Sequence, residues 1–183
     1  MGEERHGPHG RLVERYGRGG DALYTFVACV LAIAIIGLAA YLTKQPLLFP
    51  SLGPTLFLFF EQPMSAGASP RNTLIGHLVA ILTGTLCLAV FGLLDNPSIL
   101  QEGVTLARIG AAALALALTG AVLLLLRASH PPAGATVLIV SLGLLRTPTE
   151  LAMIAASVAL VTVVGWLLNR AAGVPVPIWG ARV

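Results

Sequence analysis

Charged side chains are scarce, 10% of the sequence, and beyond the first 20 residues they stand singly between long apolar runs. A chain so poor in charge cannot clothe a water-facing surface, and it has no basic stripe with which to follow a phosphate backbone, so a nucleic-acid partner is excluded. Cysteine is nearly absent too. Cys29 and Cys87 both lie in apolar runs, where small buried residues are expected rather than a disulfide framework or a metal site. Acidic residues near the apolar runs are confined to their ends: Asp21, Glu61, Asp95, Glu102 and Glu150. That leaves no intramembrane carboxylate for a proton relay or a sodium site. No zinc, diiron or nucleophile–base spacing is present, so neither enzymatic activity nor a cofactor or metal is expected.

Apolar residues are abundant instead, at 56%, with several nearly uncharged runs of about 20 residues, the length a bilayer core demands. The pattern predicts an integral, all-α membrane protein. An arm over 1–21 carries Arg5, Arg11, Arg15 and Arg18 among acids and glycines, unlike a cleaved signal. A single membrane domain follows over 22–170, then a tail over 171–183. Six apolar elements are expected in it: Ala22–Leu42, Pro46–Phe60, Pro70–Leu94, Ile99–Leu126, Pro131–Leu145 and Pro148–Leu168. Four are long; the second and fifth are short. Start signals support three of them: Ser69 before Pro70, and the capping boxes Ser98–Gln101 and Thr147–Glu150.

The two short elements carry one pattern twice. Pro50-Ser51-Leu52-Gly53-Pro54-Thr55 and Pro131-Pro132-Ala133-Gly134-Ala135-Thr136 both read P-x-x-G-x-T, 81 residues apart. Proline and glycine interrupt the helical ladder, and backbone groups freed in lipid need protein or water partners. If each hexapeptide runs extended before a half-helix of ~10 residues, each short element can cross. Six crossings then make residues 22–94 and 99–170 two inverted three-element repeats, an architecture of many transporters. Two half-helix N-termini would meet near mid-membrane from opposite sides, where their N–H groups favour an anion. The competing reading is that Pro and Gly only kink two packed helices.

Candidate binding residues follow from this geometry. They are Ser51, Leu52, Gly53 and Thr55 in the first hexapeptide, and His130, Pro131, Pro132, Gly134, Ala135 and Thr136 at the second. Ser51, Thr55, Ser129 and Thr136 could donate hydroxyls to an oxyanion or cap the half-helices. His77, two turns into the third element, is either a carbonyl-bonded packing residue or a substrate or proton ligand. His130 is either interfacial or gating. Arg108 is placed about nine residues into the fourth helix, snorkelling to the outer interface or drawing anions to a vestibule. Arg71 and Asn72 either anchor a cytoplasmic helix start or serve the site. Gly110, Ala111, Gly120 and Ala121 permit close helix contact, so a homo-oligomer is expected.

His130-Pro131-Pro132, together with Phe49-Pro50-Ser51-Leu52-Gly53 and Pro70-Arg71-Asn72 followed by Gly76-His77, resembles the HPP family of small membrane proteins over about residues 45–145. The resemblance implies a four-helix membrane protein, with nitrite transport described for plastid and cyanobacterial relatives. The expected function is therefore transport of a small inorganic anion, nitrite first; a passive anion channel and a non-transporting scaffold or sensor are the alternatives. A bacterial inner membrane is the expected location.

Charge decides the expected topology. With six crossings, the arm's four arginines join Arg71, Arg127, Arg170 and Arg182 on one side, leaving Lys44 and Arg146 on the other. The side richer in arginine is cytoplasmic by the positive-inside rule, as are both termini. Arg71→Cys and Arg127→Cys should both react with an impermeant thiol reagent from the cytoplasmic side; exclusively external labelling would reject the arrangement.

Overall fold

The computed structural model describes residues 7–180. Among them there are helices and loops and no strand. An arm helix, α1 (Pro8–Tyr16), leads into α2 (Arg18–Thr43), followed by a short α3 (Leu52–Glu61) and a 3-10 turn, Ala66–Ala68. Next come α4 (Pro70–Val90), the single turn α5 (Ile99–Glu102), α6 (Leu106–Leu125), the short α7 (Ala133–Ser141) and α8 (Pro148–Ala171). Helices α2, α4, α6 and α8 are 26, 21, 20 and 24 residues long, and all four are apolar enough to cross a membrane. At 1.5 Å per residue, the shortest of them covers about 30 Å. The ten residues of α3 and nine of α7 cover only ~14–15 Å.

The start signals act as the sequence suggests. Ser69 accepts from the Asn72 N–H with Pro70 at the first helical position. Thr147 and Glu150 close a reciprocal capping box at α8. The box at Ser98–Gln101 also forms, but it opens only one turn. Gly103, at φ +83°, ends that turn, and Thr105 starts α6 anew by accepting from the Arg108 N–H. The expected single helix from Ile99 to Leu126 is thus two, because a left-handed glycine and a fresh N-cap stop the box from propagating. The hexapeptides are also less extended than expected. The stretches outside helices and turns are 45–49 and 128–130, and both helices begin inside their motifs, at Leu52 and Ala133.

The helices pack as two clusters of three. In one, α3 lies against α2 and α8, which also touch each other; in the other, α7 lies against α4 and α6, which likewise touch. Contact between α4 and α8 joins the clusters. Tyr24, Ala28, Ala32 and Ile36 of α2 pack with Leu56 and Phe59 of α3 and Val161 of α8 in the first core. Ala80, Cys87, Ala111, Ala115, Val137 and Val140 fill the second. Outward faces carry large apolar residues such as Phe26, Leu82 and Leu125, as lipid contact requires.

Side-chain bonds show which ends lie together. The Tyr24 hydroxyl donates to Asn169 Oδ1 at 2.6 Å, and Asn169 donates to the Phe59 carbonyl at 3.1 Å, so the start of α2, the end of α8 and the end of α3 share one face. Arg71 donates to the carbonyls of Leu126 and Arg127, bringing the end of α6 to the start of α4. At the opposite face, the Arg108 guanidinium reaches Pro97 O and Ser141 O. Helix α3 therefore runs antiparallel to α2, and α7 runs antiparallel to α6. The half-helices point in opposite directions.

Close approach falls on glycines other than those of the motif. A Cβ on Gly76 would stand 2.7 Å from His130 Cβ, and one on Gly84 would stand 2.9 Å from Val140 Cβ. A Cβ on Gly53 meets nothing within 4 Å, and one on Gly134 meets only Leu116 Cδ1 at 3.7 Å. The motif glycines face room, while α4 uses Gly76 and Gly84 to admit α7. Gly76→Ala should therefore destabilise the fold by about 1–3 kcal/mol, and Gly53→Ala should change it by less than about 0.5 kcal/mol. Thermal unfolding in detergent compares them; equal midpoints would reject the assignment.

Candidate functional site

Most buried hydroxyls here bond to the carbonyl one helical turn back, the usual refuge of Ser and Thr in an apolar helix. Thr73, Thr119, Ser157 and Thr162 all do so, at 2.7–3.0 Å. Thr136 departs from the pattern. Its Oγ1 lies 2.7 Å from His77 Nδ1, and the same imidazole presents Nε2 to Thr55 Oγ1 at 3.2 Å. The threonines that close the two hexapeptides are thus bridged by one histidine from a third helix. His130 completes the group, with Nε2 3.1 Å from His77 Nε2 and Nδ1 2.7 Å from the Gly67 carbonyl. Thr55 and Thr136 are 0% exposed, and the two histidines 1%.

The bond directions follow from the ends of the network. The Gly67 carbonyl can only accept, so His130 Nδ1 carries its proton and the Nε2 of the neutral ring accepts. His77 Nε2 must then donate. Thr55 gives its own hydroxyl proton to the Ser51 carbonyl at 3.0 Å, so it too accepts from that N–H, which His130 and Thr55 share. His77 Nδ1 is left as an acceptor, and Thr136 donates to it. The site is a fully assigned chain of neutral groups, from Thr136 through His77 and His130 to Gly67.

Ser51 Oγ, 0% exposed and one turn before Thr55, has no hydrogen-bond partner. An idle buried hydroxyl costs about 1–3 kcal/mol, and here it stands at the start of α3 beside the network. Leu52 is buried behind it, while Gly53 and Gly134 are half-buried. A cavity of about 290 Å³ adjoins the second motif, lined by Thr119, Gly120, Ser129, His130, Pro131 and Gly134 among others. Pro132 is the N-cap of α7, itself in helical conformation, and Ala135 is half-buried on α7. The first N–H groups of α7 are already engaged: Ala133, Gly134 and Ala135 donate to the carbonyls of His130, Pro131 and Pro132 at 3.0–3.1 Å. At α3 one such turn bond is present, Leu52 N–H to Phe49 O at 3.0 Å. Ligand contacts at α7 therefore fall to side chains rather than to those amides.

Three expected site residues lie elsewhere. Arg71 bonds Asn72 Oδ1 and the Leu126 and Arg127 carbonyls, and Asn72 Nδ2 donates to the Ser129 carbonyl at 3.3 Å. Together they fix the loop that delivers His130. Arg108 does not snorkel: it is 2% exposed. Because α6 starts at Leu106, Arg108 sits in its first turn, donating to Pro97 O at 2.7 Å and to Ser141 O at 3.4 Å. A cation there also suits the negative end of α7. The sequence reading missed Gly67, whose contribution is a backbone carbonyl and leaves no side-chain signal. No three metal-ligating side chains gather among the described residues, and the histidine pair is a hydrogen-bonding unit.

The sequence matches the family described as HPP, transmembrane region, over residues 15–177. The chain belongs to this family of integral membrane proteins. No curated protein and no solved structure matches it.

Since Arg108 supports the Ser141 carbonyl at the far end of α7 and the Pro97 carbonyl before α5, Arg108→Gln should cost about 1.5–3 kcal/mol, the worth of charge-assisted bonds lost from a buried site. A thermal midpoint equal to that of the parent protein would show that the bonds are dispensable.

Proposed function

We propose that the protein carries a small inorganic oxyanion across the membrane, with nitrite, suggested by the family resemblance, first among those to test. The observation that carries this reading is the His77 bridge between two half-helices of opposite direction. Their positive ends approach one buried cluster of hydroxyl and imidazole groups with no carboxylate within it. Beside this cluster the Ser51 hydroxyl is free to donate to an oxyanion, and no carboxylate there repels negative charge. The room beside Gly53 and Gly134 suits entry of a small ion.

The inverted-repeat reading draws support from helix pairing. Exchanging α2 for α6, α3 for α7 and α4 for α8 turns every contact between these helices into another that exists. Local devices recur as well: Lys44 and Arg127, each just past a long helix and before a short one, have positive φ of 56° and 49°. Ser69-Pro70 and Thr147-Pro148 open the third member of each half. Complete burial of Thr55, His77 and Thr136 favours a carrier over an open channel, since a channel keeps its site wet. In this reading both termini are cytoplasmic, in a bacterial inner membrane. Gly110 abuts Phe91 and Ala111 is buried within the protomer, whereas Gly120 and Ala121 remain outward for contact with a second copy.

Flux of nitrite, nitrate, chloride and bicarbonate into liposomes holding the purified protein tests the proposal. Thr55→Val and Thr136→Val should each lower the flux by about tenfold or more, the worth of one hydrogen bond to a charged group, while Thr136→Ser should retain it. Absence of flux for every anion, or parental flux in both Val variants, would reject the reading.

A further inference from the structure

Within the network only one ring nitrogen can accept a proton without breaking a bond. Adding one to His130 Nε2 would set two N–H groups against each other across 3.1 Å. His130 Nδ1 and His77 Nε2 are already donors. His77 Nδ1 is the exception, because its partner is a hydroxyl. If Nδ1 takes a proton, Thr136 Oγ1 changes from donor to acceptor at the same 2.7 Å and its O–H is released to donate elsewhere.

The added charge has no counter-ion among the described residues. Thr55 and Ser51 face it from α3, Thr136 from α7, and His130 and the Gly67 carbonyl from the adjoining loops. Charged groups on the surrounding helices are engaged or exposed at the ends: Arg71 on carbonyls, Arg108 on Pro97 O and Ser141 O, Glu150 on the Arg146 and Thr147 amides, Glu61 at the surface. Arg170 is exposed at the end of α8, as is Asp21 at the start of α2. Cys87 lies in the apolar core, and Cys29 is half-buried on α2. A lone proton at His77 therefore meets the positive ends of two half-helices, and an anion alone meets a site that is neutral. Each ligand removes the other's penalty, and such coupling is reciprocal.

We propose that His77 Nδ1 binds one proton with each anion, so that the protein is an electroneutral proton–anion symporter whose net cargo is the protonated acid. This rests on the anion-carrier reading above. The freed Thr136 hydroxyl becomes the anion's donor, and the idle Ser51 hydroxyl supplies a second. Departure of the anion leaves the charge uncompensated and expels the proton to the same side. Net charge moved per cycle is zero.

The full chain in liposomes decides it, with initial rates of nitrite and nitrate uptake corrected for protein-free vesicles. An acidic exterior at zero membrane potential should accelerate uptake, and an interior-positive potential at equal pH should not. Nitrate should accumulate about tenfold per unit of pH gradient, as one proton per anion requires. His77→Gln keeps one donor and one acceptor but cannot take the proton, so its remaining flux should lose the acid response. His130→Gln should keep it. Potential-driven flux with no response to acid would overturn the coupling while leaving anion transport standing, and absence of any anion flux would overturn both. Acid-driven flux persisting in His77→Gln, or lost in His130→Gln, would overturn the assignment to His77. Should His77→Gln fail to fold, the parental response and His130→Gln still decide.

Discussion

One imidazole joins the two short helices of this protein, α3 and α7. His77 meets Thr55 through Nε2 and Thr136 through Nδ1, so the position of each short helix is registered against the other through a single ring. Removing water from this place makes every bond in it stronger and every unmade bond more expensive. The surrounding construction follows from that constraint. Gly76 lacks a side chain because His130 must stand beside it, and the Gly67 carbonyl faces inward to fix the tautomer on which the remaining directions depend.

A second constraint comes from the bilayer. Broken helices are tolerated in lipid only when their loose backbone groups are answered by protein. Arg71 and Asn72 answer the carbonyls of Leu126, Arg127 and Ser129 at one end of the α6–α7 connection. Arg108 answers Ser141 O at the end of α7. Three residues that look like ligands in a list of polar side chains are thus the means by which a nine-residue helix can be suspended inside the membrane. The Arg108 guanidinium is met there by carbonyls rather than by an acid.

Much of the architecture was legible because it is written in local signals. The long helices declare themselves by length and by their caps, and the twin hexapeptides mark the short elements by the residues that forbid ordinary helix. Long-range pairings were not legible. Thr55, His77 and Thr136 lie 22 and 59 residues from one another, and neither periodicity nor spacing joins a lone histidine to two threonines on other helices. Arg108 was misplaced for a local reason: a capping box can open a helix without sustaining it, and Gly103 ended the turn before the arginine was reached. Gly53 and Gly134 border space and the tight contacts are at Gly76 and Gly84, because the helix that must receive a neighbour is α4.

The likeness of the two hexapeptides stops where chemistry is concerned. Phe49 precedes Pro50 as His130 precedes Pro131, but Phe49 packs with apolar residues around Val161 and Ile154, while His130 enters the hydrogen-bonded chain. Matching helix pairings thus surround an asymmetric site. Histidine on the approach to α7 brings a second imidazole to His77, and phenylalanine on the approach to α3 leaves that approach in the apolar core.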